Sequence, residues 1–390
     1  MTPEDWPPVV LVEDAAALER ALREWQAAGV VGMDTESNSF YAYWDRLCLL
    51  QVSTEDQDYI VDPLALGEDL HRVVPLLEDP EVVKIFHAAE FDLMLLRKDL
   101  GAKVRGLFDT QVAMTLLQHQ RTGLAALIES IYGLQLSKKE QRSNWGRRPL
   151  SPSQIDYARI DTHFLVDLRR RLLPELEEKG MLGAAEGEFR RLEEEVLPPR
   201  EPDLEGWRRL KGARDLDPET AARLRALFVW RERTAQEADV PPFRVLGNEA
   251  LLDLARRPPR DLRELAGRKG VGWRKARQAG EAILGALLEA RDERVDDLRP
   301  KRLDPAERRR RRTERENLEA LRQWRKRAAR ELGLPSERLL HRRHLEAIGK
   351  RLPRSSEELL KVVPLNDWQR EHLEASLLEV LERLPDPEQA

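Results

Sequence analysis

The rear half of the 390-residue chain repeats itself at a fixed offset of 94 residues. Trp230 matches Trp324, Pro241 matches Pro335, and the match needs no gap. The repeated leucines and tryptophans recur at helical spacing, which is typical of core positions in a small all-helical domain. This self-similarity therefore predicts two successive copies of one such domain. The further matched pairs are Leu246 with Leu340, Leu251 with Leu345, Pro259 with Pro353, Leu284 with Leu378 and Leu287 with Leu381.

The front half alternates short apolar runs with helical periodicity, which predicts an α/β domain with a mixed sheet. Three of the predicted strands follow one another and should be neighbours. From about residue 108 we expect helices, ending in one long helix that begins at Ser151 and Pro152, a typical cap and first turn. Strands are predicted over residues 9–12, 30–34, 47–52, 58–62 and 82–86, and helices over 14–28, near 69–77 and around 91–96.

Two proline-containing segments divide the chain into domains. V-L-P-P-R-E-P-D (196–203) cannot continue a helix, and V-D-D-L-R-P-K-R-L-D-P (295–305) reads as a second linker. The predicted organisation is an α/β domain over residues 1–195, a first helical domain over 205–292 and a second over 313–388, with linkers at 196–204 and 293–312.

Charge is distributed unevenly between the two halves. Residues 1–195 contain 22 Lys+Arg and 35 Asp+Glu, a net charge of −13, whereas the remainder has 44 basic and 36 acidic residues, a net charge of +8. This asymmetry predicts that the first half of the chain carries out the chemistry and that the second half binds a polyanion. The single cysteine, Cys48, excludes an intrachain disulfide and a cysteine-based metal site. No apolar run approaches membrane-spanning length and no signal peptide is recognisable, so we expect a cytoplasmic protein without a membrane partner.

Two carboxylates, Asp34 and Glu36, follow the apolar run V-V-G-M with one residue between them. Alternate strand residues point to the same face, so these like charges repel. On their own they are typical of a strand end in solvent. Asp92 lies among apolar neighbours in a predicted helix, and Tyr157 and Asp161, at i and i+4, share a helix face. A polar group in such apolar company needs a partner.

Four carboxylates that converge at one end of a sheet would repel each other unless cations lay between them. Carboxylate oxygens suit the hard divalent cations Mg²⁺ and Mn²⁺, and four carboxylates are too many for one ordinary Mg²⁺ site. Two such ions about 4 Å apart are the usual arrangement for in-line phosphodiester hydrolysis. The residues therefore predict a two-metal phosphodiesterase site.

The order of these motifs resembles the DEDD superfamily of 3′–5′ exonucleases, and the tyrosine of Y-A-R-I-D (157–161) is typical of its DEDDy subgroup. The segments F-D-T-Q-V-A-M-T-L-L (108–117), G-L-A-A-L (123–127) and E-Q-R-S-N-W-G-R-R-P-L (140–150) resemble the ribonuclease D family, and the repeat resembles the HRDC domain. The resemblance covers nearly the whole chain. It implies a ribonuclease H-like α/β exonuclease domain, with a mixed sheet flanked by helices, followed by two small all-α HRDC domains.

The resemblance also implies roles for the site residues. Asp34 would bridge both ions, Glu36 and Asp161 would complete the ion site on the nucleophile side, and Asp92 would support the other ion, largely through water. Tyr157 would orient the attacking water, because a phenol with a pKa of about 10 is a poor base at pH 7.

The activity implied by the resemblance is stepwise release of nucleoside 5′-monophosphates from RNA with a free 3′ end, with tRNA precursors as expected substrates and a monomeric enzyme. The motifs alone do not separate RNA from DNA, so a DNA 3′–5′ exonuclease of the proofreading or Werner type is an alternative. We find no G-x-x-x-x-G-K-[ST] motif for a helicase motor. A nucleic-acid scaffold with an inactive nuclease fold is a second alternative, which the presence of all four acids and the tyrosine disfavours.

Several segments are candidates for contacts with RNA. The aromatic run F-Y-A-Y-W (40–44) could stack on bases or could simply fill a local core. The glycine-rich loop G-R-K-G-V-G-W-R-K (267–275) opens a helix in the first repeat and could bind phosphate, whereas V-V-P-L-N-D-W (362–368) in the second repeat lacks the glycines and most of the charge. Residues 301–330 hold 13 basic and 5 acidic residues. The candidate RNA-contacting residues are Phe40, Tyr41, Arg142, Arg147, Arg148, Lys269, Arg274 and Lys275.

Overall fold

A six-stranded mixed sheet organises the first domain in the computed structural model, which describes residues 6–137, 139–198, 201–295 and 304–388. The strands are β1 (Val10–Val12), β2 (Val30–Ser37), β3 (Leu47–Ser53), β4 (Asp58–Val61), β5 (Val83–Phe86) and β6 (Leu107–Asp109). Their order across the sheet is β1-β4-β3-β2-β5-β6. The β2–β3 and β3–β4 pairs are antiparallel and the other pairs are parallel. The predicted mixed sheet, with β2, β3 and β4 as consecutive neighbours, is confirmed.

Helices pack on this sheet, and the junction between two of them, at Thr162 and Leu165, lies very close to Gly32 of β2. A Cβ atom on Gly32 would lie 2.9 Å from the Thr162 carbonyl oxygen and 2.9 Å from Leu165 Cβ, so only glycine allows this approach. The helices of the domain are α1 (Ala15–Ala28), α2 (Pro63–Leu66), α3 (Val74–Glu78), α4 (Glu90–Leu100), α5 (Thr110–Leu116), α6 (Leu124–Tyr132), α7 (Pro152–His163), α8 (Leu165–Glu178) and α9 (Leu182–Glu194).

The prediction that the chain is helical from about residue 108, ending in one long helix from Ser151, is wrong in two respects. Leu107–Asp109 forms β6, a three-residue strand that is too short for a recognisable alternation. The single long helix expected from Ser151 is divided at Phe164 and again near Gly180, whose φ of 66° is left-handed. The helix predicted near residues 69–77 is a 3-10 segment, Gly67–Val73, followed by the short α3.

The first repeat forms a helical domain with its own core, in which Trp207, Leu227 and Leu251 are fully buried. It belongs to a compact unit made of the described residues 38–46 and 201–295. Its helices are α10 (Pro218–Glu237), α11 (Pro242–Val245), α12 (Asn248–Arg256), α13 (Leu262–Ala266) and α14 (Gly272–Glu289), preceded by a 3-10 segment at Gly206–Arg209.

The second repeat has the same succession of helices but belongs to the other compact unit, together with residues 6–37 and 47–198 of the first domain. Its buried leucines form one continuous apolar cluster with those of the first domain. Polar contacts add to this packing: His344 Nε2 lies 2.8 Å from Glu195 Oε1, and Arg338 lies 3.5 Å from Glu188. The helices are α15 (Pro305–Glu331), α16 (Ser336–Leu339), α17 (Arg342–Arg351), α18 (Ser356–Val362) and α19 (Asp367–Arg383).

The domain boundaries taken from the sequence remain a proposal, because residues 199–200 and 296–303 of the two predicted linkers lie outside the described residues. Within the part of the chain that the structure describes, no helix combines the length and the apolar character needed to cross a lipid bilayer.

Candidate active site

Strand β2 carries Asp34 and Glu36 on the face that also contains Gly32, because successive side chains alternate. The strand continues to Ser37, three residues beyond the predicted run, so both carboxylates lie within the sheet and not beyond its end. Each is half-buried. The close approach of the α7–α8 junction to Gly32 places helix residues over this same face.

Helix α4 brings Asp92 to the same strand. Its side chain is buried and accepts hydrogen bonds from the Thr35 backbone N–H, at 3.1 Å, and from the Thr35 hydroxyl. Asp109 fixes the turn that precedes this helix, since its carboxylate accepts from the backbone N–H groups of Ala88 and Ala89 at 3.2 and 2.9 Å. Ala88 has a φ of 66°, a left-handed conformation that these two hydrogen bonds help to hold.

Helix α7 supplies Tyr157 and Asp161, as the i, i+4 spacing predicts. Ser151 and Gln154 form a capping box at its start. Its far end is held by Asp58 of β4, which accepts from Arg159 Nε at 2.6 Å and lies 2.9 Å from His163 Nδ1. These contacts fix the helix on both sides of Asp161. The anchor Asp58 was not identified from the sequence, where D-Y-I-V-D gave only a strand signal.

Burial raises the pKa of all four acids, and the charge of at least one neighbouring carboxylate raises each of them further. Burial contributes most in each case, followed for Asp34 by the charges of Asp92, Asp161 and Glu36. The pKa of Glu36 rises to about 9 through burial and the charges of Asp161 and Asp92. The pKa of Asp161 rises to about 7 through burial and Asp92, and burial raises that of Asp92 to about 7. The structure thus brings the four predicted acids into one electrostatic cluster.

This donor set fits divalent cations by its chemistry. Carboxylate oxygens are hard ligands, and a bound cation would offset the burial and the carboxylate charges that raise the pKa values of Asp34 and Glu36. Among the residues that the structure describes, no three acidic, histidine or cysteine side chains already lie close enough together to ligate one ion. Mutual repulsion is a sufficient reason for this spacing.

The phenol of Tyr157 keeps its proton at neutral pH. Burial raises its pKa above the ordinary value, and the negative charges of Asp161, Glu36 and Asp34 raise it further. A neutral hydroxyl beside a carboxylate cluster donates or accepts a hydrogen bond and does not act as a base. This is consistent with the positioning role that the resemblance implies.

Arg148 is not available for phosphate, which corrects one of the predicted RNA contacts. All five of its N–H donors are used within the protein. Asp62 accepts two of them, one at 2.8 Å, and the carbonyl oxygens of Cys48, Trp145 and Arg147 accept the others at 2.8, 2.7 and 2.9 Å. Arg148 therefore holds the segment before α7 in place. Arg142 and Arg147 are exposed, and their contact with RNA stays a prediction.

The aromatic run after Glu36 combines exposed and buried rings. Phe40 and Trp44 are exposed, whereas Tyr43 is buried and donates to Glu232 at 3.2 Å. The Arg244 guanidinium lies 4.6 Å from the Tyr41 ring centroid. The run is therefore not a purely local core, because its partners come from the first HRDC repeat.

Asp239 is the main anchor of this segment. Its carboxylate accepts from the backbone N–H groups of Tyr43 and Trp44 at 3.1 and 3.2 Å and from Arg46 at 2.8 Å. Its own φ of 43° is left-handed, a conformation that Asp and Asn tolerate better than most residues. No local motif in the sequence indicated this role.

Replacing Asp239 with Ala should speed hydrogen exchange at the Tyr43 and Trp44 amides by about 10–100-fold. The substitution removes both acceptors and the Arg46 ion pair, which together contribute on the order of 1–3 kcal/mol. Asp239→Asn is the matched control, since it retains an acceptor oxygen and suits the left-handed backbone. Hydrogen-exchange mass spectrometry of segment 38–46 gives the measurement. Equal exchange in the Ala variant and the wild type would contradict this anchoring.

The glycine-rich loop of the first repeat presents Lys269 and Arg274 at the surface, with Lys275 partly buried. Gly270 and Gly272 have φ values of 84° and 68°, which explains the need for glycine at both positions. Trp273, which the sequence analysis did not single out, is 56% exposed between these cations. An exposed indole of this kind is suited to stacking on a base.

The fold and the carboxylate cluster define a 3′–5′ exonuclease that carries two HRDC domains. Residues 9–177 match the 3′–5′ exonuclease family, and residues 220–287 and 314–381 match the HRDC domain. Ribonuclease D of Gluconacetobacter diazotrophicus is 36% identical over 293 residues, which cover 73% of each chain. The chain therefore belongs to the ribonuclease D family.

Two further similarities extend over almost the full length. Ribonuclease D of Pseudomonas paraeruginosa is 30% identical over 385 residues, covering 96% of this chain and 98% of its own. The crystal structure of Escherichia coli RNase D matches with a TM-score of 0.67 and 25% identity, over 97% of this chain and 100% of that chain. The predicted resemblance and the predicted activity, a 3′–5′ exoribonuclease, are confirmed, and the DNA exonuclease and inactive scaffold are not favoured.

Proposed function

We propose that this exoribonuclease releases nucleoside 5′-monophosphates one at a time from the free 3′ end of structured RNA, including tRNA precursors. The observation that carries the proposal is the cluster of Asp34, Glu36, Asp92 and Asp161, in which burial and neighbouring carboxylate charges raise every pKa. The similar Escherichia coli enzyme is described as an exoribonuclease involved in structured RNA processing, which supports this substrate class. A monomeric state and a cytoplasmic location complete the proposal.

The exonuclease family of the first domain depends on divalent metal ions. We propose that two ions, Mg²⁺ or Mn²⁺, are held here, with Asp34 shared between them, Glu36 and Asp161 on the nucleophile side, and Asp92 on the leaving-group side. When bound, such ions neutralise charge on the phosphate and lower the pKa of water. All four proposed ligands carry mutually repelling charges, which is why the cluster has a need for cations.

The protein's own residues position the reactants. The neutral Tyr157 hydroxyl orients the attacking water by a hydrogen bond, and Thr35 holds Asp92 by two hydrogen bonds. The anchored turn at Asp109 and the Asp58 contacts keep α4 and α7 fixed, and with them the positions from which Asp92 and Asp161 would hold the ions. A preorganised arrangement of this kind avoids rearrangement during the reaction.

RNA binding is proposed for rings and cations outside the acid cluster, which are exposed except for the partly buried Tyr41 and Lys275. These are Phe40, Tyr41, Trp44, Arg142, Arg147, Lys269, Trp273, Arg274 and Lys275. Helix α15 adds a basic surface, although Arg310, Arg311 and Arg312 are each paired with a glutamate four residues away. Exposed pairs of this type contribute little and exchange readily with phosphate. Binding should therefore weaken with increasing salt.

A comparison of linear and circular RNA of one sequence tests the proposal. With Mg²⁺ or Mn²⁺, a hairpin RNA with a single-stranded 3′ tail should yield only nucleoside 5′-monophosphates, resolved by chromatography. Circular RNA should stay intact because it has no 3′ end, and DNA of the same sequence should be cut more slowly. Cleavage of the circle would contradict exonucleolytic action, preference for DNA would contradict the RNA assignment, and binding without metal-dependent hydrolysis would favour a scaffold.

A further inference from the structure

A fully buried glutamine lies directly across the sheet from Asp34. In the antiparallel β2–β3 ladder, Asp34 and Gln51 are paired residues, so their side chains share one face with Cβ atoms about 4.5–5.5 Å apart. Gln51 has no exposed surface. Neither its amide nitrogen nor its amide oxygen has a hydrogen-bond partner among the described residues.

This arrangement is unfavourable in the metal-free protein. A buried polar group without a partner destabilises a fold, whereas a methionine or leucine would fill similar space without that penalty. The neighbouring polar position on the same strand face differs, because the Ser53 hydroxyl donates to Asp58 at 2.7 Å and lies 2.7 Å from the Thr162 hydroxyl. Within this part of the sheet, the polar group that lacks a partner is the one opposite Asp34.

We propose that Gln51 is a positioning residue of the metal centre, whose amide N–H donates to the Asp34 carboxylate, directly or through one buried water, when cations are bound. The inference rests on the metal centre proposed above. Gln51 cannot contact substrate, because its side chain is completely enclosed. It acts by fixing the orientation of the carboxylate that both ions share, and residues that orient a metal ligand typically change metal affinity by about 10–100-fold when they are replaced.

Gln51→Met tests the proposal by two readouts that do not depend on catalysis. Without metal, the variant should unfold at the same temperature as the wild type or a higher one, because an unpartnered amide has been removed. Its Mn²⁺ affinity, measured by isothermal titration calorimetry, should fall by about 10–100-fold. Gln51→Leu, which also lacks the amide, should behave in the same way.

Gln369→Met is the matched control, since this buried amide is already satisfied by the Leu339 carbonyl oxygen at 3.0 Å and by the Asn366 N–H at 3.2 Å. It should show the opposite pattern, with lower stability and unchanged Mn²⁺ affinity. Unchanged Mn²⁺ affinity in both Gln51 variants would overturn the proposal, and so would destabilisation or failure to fold of both without metal. A wild-type protein that does not bind Mn²⁺ would instead overturn the metal centre itself.

Discussion

Replacing Asp34 with Asn should lower the rate of RNA hydrolysis by more than about 10³-fold, while the metal-free protein becomes more stable to heat. Activity falls because the variant lacks the carboxylate proposed to lie between both ions. Stability rises because the charges of Asp92, Asp161 and Glu36, together with burial, oppose ionisation of Asp34 in the folded protein. Initial rates with a tailed RNA hairpin and thermal melts in a chelator give the two measurements.

Tyr157→Phe provides the comparison for this result. It removes only a hydroxyl that stays protonated, so hydrolysis should slow while Mn²⁺ affinity is retained. Equal loss of metal affinity in the Phe variant would contradict the positioning role of Tyr157. Retention of near-wild-type hydrolysis by Asp34→Asn would contradict the assignment of the catalytic centre.

The second large effect is a loss of stability as pH rises in the absence of metal. Glu36 has its folded-state pKa raised to about 9, and Asp92 and Asp161 have theirs raised to about 7. Between about pH 7 and about pH 8 the folded cluster holds protons that the unfolded chain has lost, so stability decreases as pH increases. The melting temperature should fall by roughly 5 °C across this interval.

The chosen interval keeps other titrations small. Asp58, Asp62 and Asp167 have lowered pKa values, so they change their charge only at more acidic pH. The pKa of His344 is lowered to about 4, so this side chain is neutral in the folded protein throughout the interval. The pKa of Lys84 is lowered to about 8, so its titration makes stability rise with pH. This opposite effect becomes appreciable only near pH 8. Saturating Mg²⁺ or Mn²⁺ should flatten the pH profile, because cations replace the protons. A decline that is the same with and without metal would contradict this link.

Much of the fold follows from local sequence signals. Apolar runs located β2, β3, β4 and β5, and the internal repeat predicted both HRDC domains. The failures have physical causes. Strand β6 has only three residues and is stabilised by parallel pairing with β5, a partner distant in sequence. The division between α7 and α8 serves the close packing against Gly32, which no helical periodicity reveals.

The candidate site residues Asp34, Glu36, Tyr157 and Asp161 were predictable because spacings of two and four residues follow strand and helix geometry. Residues that act through distant partners were not. Asp239 contacts a segment almost two hundred residues earlier in the chain, at separations of 193 to 196. Arg148 was interpreted as a phosphate contact because an arginine beside a catalytic helix suggests one, yet its hydrogen-bonding capacity is consumed by Asp62 and three carbonyl groups. The roles of Asp239 and Arg148 depend on contacts that form only in the folded chain.

The two HRDC copies, although similar in sequence, differ in whether their apolar core is their own or shared. The second shares its apolar core with the nuclease domain, and its Asn366 packs so tightly against Gly187 of α9 that a Cβ there would clash. Substitutions at this contact should therefore destabilise the nuclease domain together with the second copy. The first copy has an apolar core of its own. One copy of the repeat is thus part of the folding unit of the nuclease, whereas the other folds around a core of its own.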